Sequence, residues 1–227
     1  MERALENRDI VVTGGRGGLG GAVVDVLVAA GARCHLPVRE GAGASRDGVH
    51  VTTGVDLTDE GSVTSFYAGL PALWASVHLA GGFAGRPILD TTLSDLRQQI
   101  DLNLVTAFLC AREAVRNMRR SAGAGGRILN VSSRAALVPA GGSIAYSAAK
   151  AAVDLLTAAL AEEVKADGIL VNAIAPSIID TPANRAAMPR APHDRWPKPE
   201  QLARTILWLI SPENSLTTGA IIPVYGT

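Results

Sequence analysis

The sequence predicts a single doubly wound α/β domain, in which a mostly parallel sheet of seven strands carries helices on both faces. Three observations favour this fold class. Short β-branched segments alternate with longer segments of helical periodicity, the connections between them are short, and no repeat or linker interrupts the 227 residues. A parallel neighbour requires a crossover connection, and right-handed crossovers place helices on both faces of the sheet.

The first half of the chain begins with a predicted strand at residues 9–13 (DIVVT), which is apolar on both faces, as buried parallel strands are. Residues 18–30 place apolar side chains at helical spacing, and Gly31 follows as a typical helix C-terminus. Two more strands are predicted at residues 34–38 and 49–55. A helix at residues 59–70 follows, and Pro71 stops it.

The second half continues this alternation. A fourth strand at residues 74–79 precedes a glycine-rich turn, and Thr92 or Ser94 can cap a long helix that reaches about Arg120. Residues 121–126 (SAGAGG) read as a loop. The remaining predicted elements are strands at residues 127–131, 169–175 and 220–224, a helix at residues 144–167 between Ser143 and Gly168, and a helix at residues 200–210.

The segment of residues 181–199 departs from this regular pattern. Five of the 12 prolines of the chain fall within residues 182–199, among arginine, histidine and tryptophan residues. Such a composition is not expected to form regular secondary structure, and the segment is long for a connection. It is therefore predicted to be a substrate lid or a binding loop.

Composition and charge exclude several classes of protein. Lysine and arginine total 21 and so do aspartate and glutamate, which argues against a nucleic-acid binder that relies on phosphate neutralisation. No apolar segment of about 20 residues is expected, so no membrane partner is predicted, and the polar amino-terminal segment MERALENRD does not resemble a signal peptide. Cys34 and Cys110 are interpreted as reduced buried thiols of a cytoplasmic protein, and the four scattered histidines predict no metal site.

A glycine-rich loop lies between the first predicted strand and the first helix, with the sequence TGGRGGLG at residues 13–20. In that position it predicts a phosphate cradle of the Rossmann type. Gly14 permits a tight turn, Gly18 lets the backbone approach a pyrophosphate, and Gly20 lets the helix pack against the strand. The helix N-terminus adds free N–H groups and partial positive charge for the anion.

The spacing Thr-Gly-x-x-x-Gly-x-Gly is similar to that of the short-chain dehydrogenase/reductase family, and the resemblance covers nearly the whole chain. Asp56-Leu57 follows the third strand, where the family's aspartate contacts adenine. Ala80-Gly81 ends the fourth strand, where the family usually reads Asn-Asn-Ala-Gly. Here His78-Leu79 replaces the two asparagines, so we expect a weaker bridge between strands and an intact cofactor contact.

The resemblance extends to the active-site residues and to the turn beside the nicotinamide. Asn103, Ser133, Tyr146 and Lys150 match the family's catalytic set, in a core similar to that of 3-oxoacyl reductases. Residues 176–181 match the nicotinamide-proximal turn that begins with Pro176. By resemblance, Leu19 belongs to the cofactor cradle, and the backbone near Ile179 and the Thr181 hydroxyl bind the carboxamide.

The choice of cofactor is predicted from the end of the second strand. An acidic residue there would bind the ribose 2′-hydroxyl and repel a 2′-phosphate, but the corresponding position holds Val38. Arg39 follows it and Arg16 lies in the glycine loop, so two guanidinium groups could clamp a 2′-phosphate. NADP(H) is therefore the preferred cofactor and NAD(H) the alternative. Arg39 could instead be an ordinary solvated arginine that pairs with Glu40 or with nothing.

The spacing of Tyr146 and Lys150, four residues apart on a predicted helix, makes their side chains neighbours. The lysine ammonium is expected to lower the pKa of the phenol, so that Tyr146 can donate a proton. Ser133, just beyond the fifth strand, can polarise a substrate carbonyl as negative charge develops on its oxygen. By resemblance, Asn103 holds a water near Lys150 in a proton relay.

Three functions remain open at this level. Reduction of a ketone or another carbonyl of a small molecule fits the serine, tyrosine and lysine set. The lid and the segment AGGFAG at residues 80–85 look similar to dihydropteridine reductases, which lack a serine at position 133 and carry an acidic residue at position 38. A non-catalytic dinucleotide-binding sensor or scaffold is the third. Such a protein would need only the phosphate cradle, so the presence of Ser133, Tyr146 and Lys150 argues against it.

Two long helices predict self-association. The helix at residues 144–164 is apolar around much of its circumference, and much of residues 96–115 is similarly apolar. Covering one face of a sheet needs only one apolar stripe. By resemblance to the family, the surplus predicts a homodimer or homotetramer built on a four-helix contact, and deeper burial within the chain is the alternative.

Overall fold

The computed structural model describes residues 3–41, 45–120 and 125–226, which contain one sheet of seven parallel strands. The strands are β1 (Asp9–Thr13), β2 (Arg33–Val38), β3 (Val49–Thr53), β4 (Leu73–His78), β5 (Gly126–Val131), β6 (Ile169–Pro176) and β7 (Ile221–Val224). Their order is β3-β2-β1-β4-β5-β6-β7. The chain therefore reverses direction across the sheet at β1, which pairs with both β2 and β4.

Helices cover both faces of this sheet. They are α1 (Gly20–Ala29), α2 (Glu60–Ala68), α3 (Leu93–Ile100), α4 (Thr106–Arg120), α5 (Arg134–Leu137), α6 (Ile144–Glu163), α7 (Pro182–Ala187) and α8 (Pro199–Ile210). One apolar core lies between the sheet, α1 and α8. A second core lies on the opposite face, beneath α2, α4 and the end of α6. The predicted doubly wound, single-domain Rossmann fold is thus confirmed.

The predicted strands all form, with bounds that shift by one or two residues. The predicted helix at residues 59–70 begins one residue later, because the Asp59 side chain accepts a hydrogen bond from Ser62 N at 2.7 Å and caps α2. The helix predicted to reach residue 167 ends at Glu163, and a 3₁₀ turn leads to Gly168 at φ 70°. Of the loop predicted at residues 121–126, residues 121–124 lie outside the described residues.

The long helix predicted from Thr92 to Arg120 is interrupted. Thr92 caps α3 with a reciprocal capping box to Asp95. A π-helical turn at Asp101–Val105 then separates α3 from α4. Such turns are rare in proteins and frequent at functional sites.

The expectation that residues 181–199 lack regular structure is wrong. They contain α7 and a 3₁₀ turn at His193–Arg195. Pro182 occupies the first turn of α7, where its missing N–H is not needed, and Thr181 caps that helix through a contact to Asn184 N at 3.3 Å. Proline therefore starts this helix instead of preventing it.

The expectation that no segment approaches the length of a membrane span also needs correction. By length and composition alone, α6 is apolar enough to cross a bilayer. In this fold α6 packs along β6 and α3, and it carries two of the predicted catalytic residues. The same segment therefore forms one of the helices that cover the sheet.

Candidate active site

The glycine loop between β1 and α1 is packed so tightly that several of its positions exclude a side chain. Gly14 has φ 65°, and a Cβ there would lie 2.8 Å from the Ala80 amide nitrogen. A Cβ on Gly20 would lie 2.2 Å from the Gly14 carbonyl oxygen. The turn predicted for Gly14 is therefore present, and Gly20 lets the helix pack against loop residues Gly14 and Gly15, while its predicted contact with the strand itself stays a prediction. Ala80 N also donates a hydrogen bond to Thr13 Oγ1 at 3.2 Å, which joins the loop to the end of β4.

Gly18 has a neighbour that the sequence did not predict. A Cβ on Gly18 would lie 2.9 Å from Thr181 Cγ2, so the glycine loop touches the start of segment 181–199, the predicted lid. Arg16, Gly17 and Gly18 are nevertheless exposed, whereas Leu19 is buried beneath them. Exposed backbone at the N-terminus of a ten-residue helix is what a pyrophosphate requires. The residues present therefore fit a dinucleotide.

The end of β2 carries positive charge, as the sequence predicts. Arg39 Nη2 donates to Asp56 Oδ1 at 3.0 Å, so Arg39 does not pair with Glu40. Arg16 reaches the same end of the sheet, since its Nη1 would lie 3.6 Å from a Cβ on Gly41. Arg16, Arg39 and Asp56 thus lie at the end of the sheet where the sequence predicts the adenosine half of a dinucleotide.

Asp56 is held as a carboxylate. Its Oδ1 accepts hydrogen bonds from Thr58 Oγ1 at 2.7 Å and from Thr58 N at 2.9 Å. These bonds, with a smaller contribution from Arg39, lower the pKa of Asp56. Leu57 beside it packs against the apolar core below α2 and is only partly exposed.

The predicted catalytic residues come together at the carboxyl edge of the sheet. Tyr146 and Lys150 lie on successive turns of α6, and Lys150 Nζ is 6.0 Å from the centroid of the Tyr146 ring. Lys150 Nζ donates to the Val131 carbonyl at the end of β5 at 2.8 Å. Ser133 follows two residues later and caps α5, since its Oγ accepts a hydrogen bond from Ala135 N at 3.2 Å. It lies close enough to Tyr146 to act on the pKa of that phenol.

Burial shifts the pKa values of both α6 residues. Burial lowers the pKa of Lys150 to about 8, although the charge of Asp154 one turn later acts in the opposite direction. Burial also raises the pKa of Tyr146, and the hydrogen bond from Ser133 offsets only part of that rise. The expectation that Lys150 lowers the pKa of this phenol does not hold for the chain alone, because desolvation is the larger effect.

Asn103 lies within the π-helical turn and holds the glycine-rich segment after β4. Its Nδ2 donates to the carbonyls of Gly82 and Gln99, both at 3.0 Å, and its Oδ1 accepts from Gly82 N at 3.2 Å. A Cβ on Gly81 would lie 2.7 Å from Asn103 Oδ1 and 3.4 Å from Lys150 Nζ. Gly81 is therefore the spacer between the two, and a water relay through Asn103 stays a prediction.

The expected weakening of the strand bridge at His78 is wrong. His78 Nδ1 is hydrogen-bonded to Asn130 Oδ1 on β5 at 2.8 Å, and its Nε2 to Ser76 Oγ at 2.9 Å. Asn130 Nδ2 continues the chain to Thr157 Oγ1 on α6 at 2.9 Å. A buried imidazole thus bridges β4 and β5, and burial lowers its pKa to about 4.

The turn after β6 is braced by a residue that the sequence analysis missed. Asn184 Nδ2 donates to the Ile179 carbonyl at 2.8 Å, and Thr181 N donates to the same oxygen at 2.8 Å. The Ile179 carbonyl is thus occupied within the chain. Pro176 ends β6 beside Val224, which fixes where this turn begins. The signal available in the sequence was that Asn184 lies two residues after Pro182, a proline that can begin a helix.

Phe83 is a second residue that the sequence analysis missed. Its ring meets the Tyr146 ring edge to face, with 5.0 Å between centroids, and 69% of the residue is exposed. A large exposed aromatic beside the predicted proton donor offers an apolar surface to a substrate. Within the described residues, no group of three or more histidine, cysteine, aspartate or glutamate side chains is placed to hold a metal ion.

Comparisons with known proteins identify the family of the chain. Residues 8–191 match the family model described as short chain dehydrogenase. The cis-4-hydroxycyclohexanecarboxylate dehydrogenase of Sinomonas cyclohexanicum is 37% identical over 246 aligned positions, covering 100% of this chain and 98% of that protein. The L-xylulose reductase of Bos taurus is 31% identical over 241 positions, with 100% and 98% covered.

A solved structure gives the same result at the level of the fold. A protein described as a short chain dehydrogenase/reductase family protein superposes with a TM-score of 0.90 at 30% identity, covering 100% of this chain and 98% of the other. The glycine loop, the tyrosine and lysine on α6 and these matches lead to one conclusion. The chain belongs to the short-chain dehydrogenase/reductase family, a family of nicotinamide-dinucleotide oxidoreductases.

Proposed function

We propose that this protein is an NAD(P)H-dependent oxidoreductase that reduces a ketone or another carbonyl of a small molecule to an alcohol. One observation carries the proposal: Ser133, Tyr146 and Lys150 meet at the carboxyl edge of the sheet, beside the glycine loop. In open α/β sheets ligands bind at this edge, near the point where the strand order reverses. The relatives named for a hydroxycyclohexanecarboxylate dehydrogenase and for L-xylulose reductase support an alcohol–carbonyl interconversion.

The nicotinamide supplies hydride chemistry when bound, and the side chains supply the rest. Ser133 donates a hydrogen bond to the carbonyl oxygen, on which negative charge develops. Tyr146 donates its phenolic proton to the same oxygen. Because burial raises the pKa of Tyr146, its hydroxyl is protonated near neutral pH, which is the state that a proton donor needs.

Lys150 places a cation below the reacting oxygen. Its pKa of about 8 leaves most of the ammonium charged at pH 7, and its bond to the Val131 carbonyl fixes its position. A charge so placed stabilises the phenolate that remains after Tyr146 has given up its proton. Asn103 keeps Gly81 and Gly82 in place beside it.

The cradle residues of the proposal are Gly14, Arg16, Gly18, Leu19, Gly20, Arg39, Asp56, Leu57, Ala80, Gly81, Pro176, Ile179 and Thr181, together with Tyr146 and Lys150. NADP(H) is the proposed cofactor and NAD(H) the alternative. Val38 removes the acidic residue that would repel a 2′-phosphate, and two guanidinium groups lie at that end of the sheet. Arg39 must then share its charge between Asp56 and the phosphate.

The proposal extends to assembly and location. A homodimer or homotetramer through α4 and α6 is supported by Phe108 and Leu155, which are exposed on these helices. Segment 181–199 acts as a substrate lid over the site. A cytoplasmic location is supported by two free buried cysteines, Cys34 and Cys110, whose thiols have a pKa raised by burial to about 12.

A panel of substrates tests the function. NADPH and NADH oxidation is followed at the nicotinamide absorbance with 4-oxocyclohexanecarboxylate, a β-ketoester, a quinone and a dihydropteridine. Tyr146→Phe should retain NADPH binding and lose about 10²-fold or more in ketone turnover, since it removes only the proton donor. Ser133→Ala should cost about 10²-fold because the carbonyl loses its polarising bond.

Three results would contradict the proposal. Unchanged turnover by Tyr146→Phe would remove its proton donor. If the dihydropteridine is reduced and Ser133→Ala does not change its rate, the result would favour a dihydropteridine reductase. NADPH binding without turnover of any substrate would favour a sensor or scaffold.

A further inference from the structure

Arg134 is an arginine that the proposed mechanism does not use. It directly follows Ser133 and begins α5 at the carboxyl edge of the sheet. Its guanidinium lies over the Tyr225 ring, with Cζ 5.4 Å from the ring centroid, as in a cation–π contact. Tyr225 is itself held, because Ser177 Oγ donates to its backbone carbonyl at 2.5 Å. The cation is therefore positioned before any ligand arrives.

This charge is not neutralised within the part of the chain that the structure describes, where no carboxylate lies within 4.0 Å of it. Two other arginines near the site differ in this respect. Arg86 pairs with Asp95 at 3.8 Å, and Arg185 pairs with Asp180 at 2.5 Å. An arginine over an aromatic ring, without a carboxylate, keeps its donors available to an anion.

An apolar surface lies around the same opening. Large hydrophobic side chains are exposed in the segments that follow β4, β5 and β6 and at the start of α6: Phe83, Leu137, Val138, Ile144 and Ile178. Phe83 among them contacts the Tyr146 ring. Clustered exposed apolar groups beside a polar anchor indicate a ligand with an apolar body.

We propose that Arg134 binds the carboxylate of an apolar keto acid whose oxo group is held by Ser133 and Tyr146. The inference rests on the proposed function and names its substrate class. The carbonyl carbon accepts a hydride from the reduced nicotinamide, its oxygen accepts the Tyr146 proton, and the product is the corresponding hydroxy acid. The carboxylate is unchanged and serves only for binding.

Arginine suits this role because its planar fork can form two parallel hydrogen bonds to one carboxylate. Consecutive Cα atoms are only about 3.8 Å apart, so the groups that bind the oxo oxygen and the carboxylate originate from neighbouring residues. The substrate is accordingly a small molecule, with a short ring or chain between its two functional groups.

The test compares an acid with its neutral ester. The values of kcat/KM for 4-oxocyclohexanecarboxylate and for its methyl ester are measured in the wild type, Arg134→Gln, Arg134→Lys and Arg86→Gln. The wild type should prefer the acid by about tenfold or more, as expected for a charged hydrogen-bonded pair. Arg134→Gln should bring this ratio close to one, Arg134→Lys should retain part of it, and Arg86→Gln should leave it unchanged.

A binding measurement makes the test independent of turnover. Calorimetry with cyclohexanecarboxylate and cyclohexanecarboxamide, in the presence of NADP⁺, should show tighter binding of the carboxylate, and Arg134→Gln should abolish the difference. A wild type without preference for the anion in either assay would overturn the inference, as would a preference that survives Arg134→Gln. If the enzyme turns over the acid and the ester with equal kcat/KM, the inference about Arg134 is wrong, whereas the proposed function stands. Absence of turnover together with anion selectivity would instead contradict only the proposed function.

Discussion

At the scale of single residues, burial determines the protonation states in the site. Lys150 and His78 are both buried, and in each case desolvation lowers the pKa. The consequences differ because of their partners. Lys150 keeps a charge near neutrality beside the Val131 carbonyl, whereas His78 stays neutral and serves as a two-sided hydrogen-bond bridge. Tyr146 completes the set as a phenol whose raised pKa keeps it protonated.

The bridge at His78 makes the stability of the fold depend on pH. The folded pKa of about 4 lies below the unfolded value of about 6.5, so the unfolded state binds more protons between these two values. Stability should therefore fall as pH decreases through that window, by about 3 kcal/mol at most. His78→Asn should remove this part of the loss in denaturant titrations at pH 7 and pH 4.5.

The matched control is His50→Asn, which removes an exposed histidine from β3 and should keep the wild-type dependence. If the free energy of unfolding falls equally between pH 7 and pH 4.5 in the wild type and in His78→Asn, the imidazole is not a buried neutral bridge.

Arg39 determines the cofactor preference at this scale. Arg39→Ala should weaken NADPH binding by about tenfold and NADH binding much less, because only NADPH offers a phosphate to the guanidinium. Dissociation constants from fluorescence titration measure both. Arg46→Ala, which removes an exposed arginine paired with Asp25, is the control. Equal losses for the two cofactors would exclude Arg39 from a phosphate clamp.

At the scale of elements, the π-helical turn couples α3 and α4 to the segment after β4. It places Asn103 against Gly82 while Gly81 separates Asn103 from Lys150. A regular helix through residues 92–120 would carry the side chain of Asn103 to a different angle. The rare turn is therefore part of the site, and it brings a residue of the α-helical layer to the end of the sheet.

Gly81→Ala tests this coupling. Its methyl group would lie 2.7 Å from Asn103 Oδ1, so the amide must move. We expect a destabilisation of about 1–3 kcal/mol and a lower kcat. Gly82→Ala meets only Leu102 Cδ1 at 3.4 Å and should be milder in both respects. Thermal denaturation and steady-state kinetics compare the variants, and a Gly81→Ala enzyme with wild-type values would contradict the proposed packing.

Hydrophobic periodicity predicted the helices that bury one apolar stripe and the strands that are buried on both faces. The seven strands, α1 and α8 follow apolar patterns that solvent exclusion dictates, so the fold was accessible from the sequence. The π-helical turn was not, since a single wider turn of five residues is too short to show a periodicity of its own. α7 was missed because proline was interpreted as a breaker, although at the first helical turn it is favourable.

The sequence predicted those features of the site that depend only on where a residue lies along a strand or a helix. Spacing indicated that Tyr146 and Lys150 are neighbours, but the balance between desolvation and charge depends on the surrounding packing. The same holds for His78, whose partner Asn130 is 52 residues away in the chain. Contacts of this kind arise from strand order, which no local pattern contains.

At the scale of the whole molecule, the helices that cover the two faces of the sheet differ in how much apolar side chain they expose. Beneath α1 and α8 lies the larger core, and the helices of the other face carry large apolar side chains that are more exposed than Trp208 on α8, which is 39% exposed. Phe108 on α4 is 46% exposed and Leu155 on α6 is 71% exposed. Exposed apolar groups on two helices of the same face favour association with a second copy of the chain.

Leu155→Glu tests this association. A carboxylate at the centre of the proposed contact would lose hydration on assembly, so we expect the sedimentation coefficient to shift from that of a dimer or tetramer to that of a monomer. Leu216→Glu, at a position that is 89% exposed and outside α4 and α6, is the control. A wild type that already sediments as a monomer would exclude the homo-oligomer.

The contact between Gly18 and Thr181 joins the glycine loop to the first residue of the lid. A dinucleotide stretched along that loop would lie beneath the lid, and the substrate would enter above it. Under the proposed function, the coenzyme would therefore have to bind before the substrate and leave after the product. Stopped-flow measurement of coenzyme release against the steady-state turnover rate tests this order.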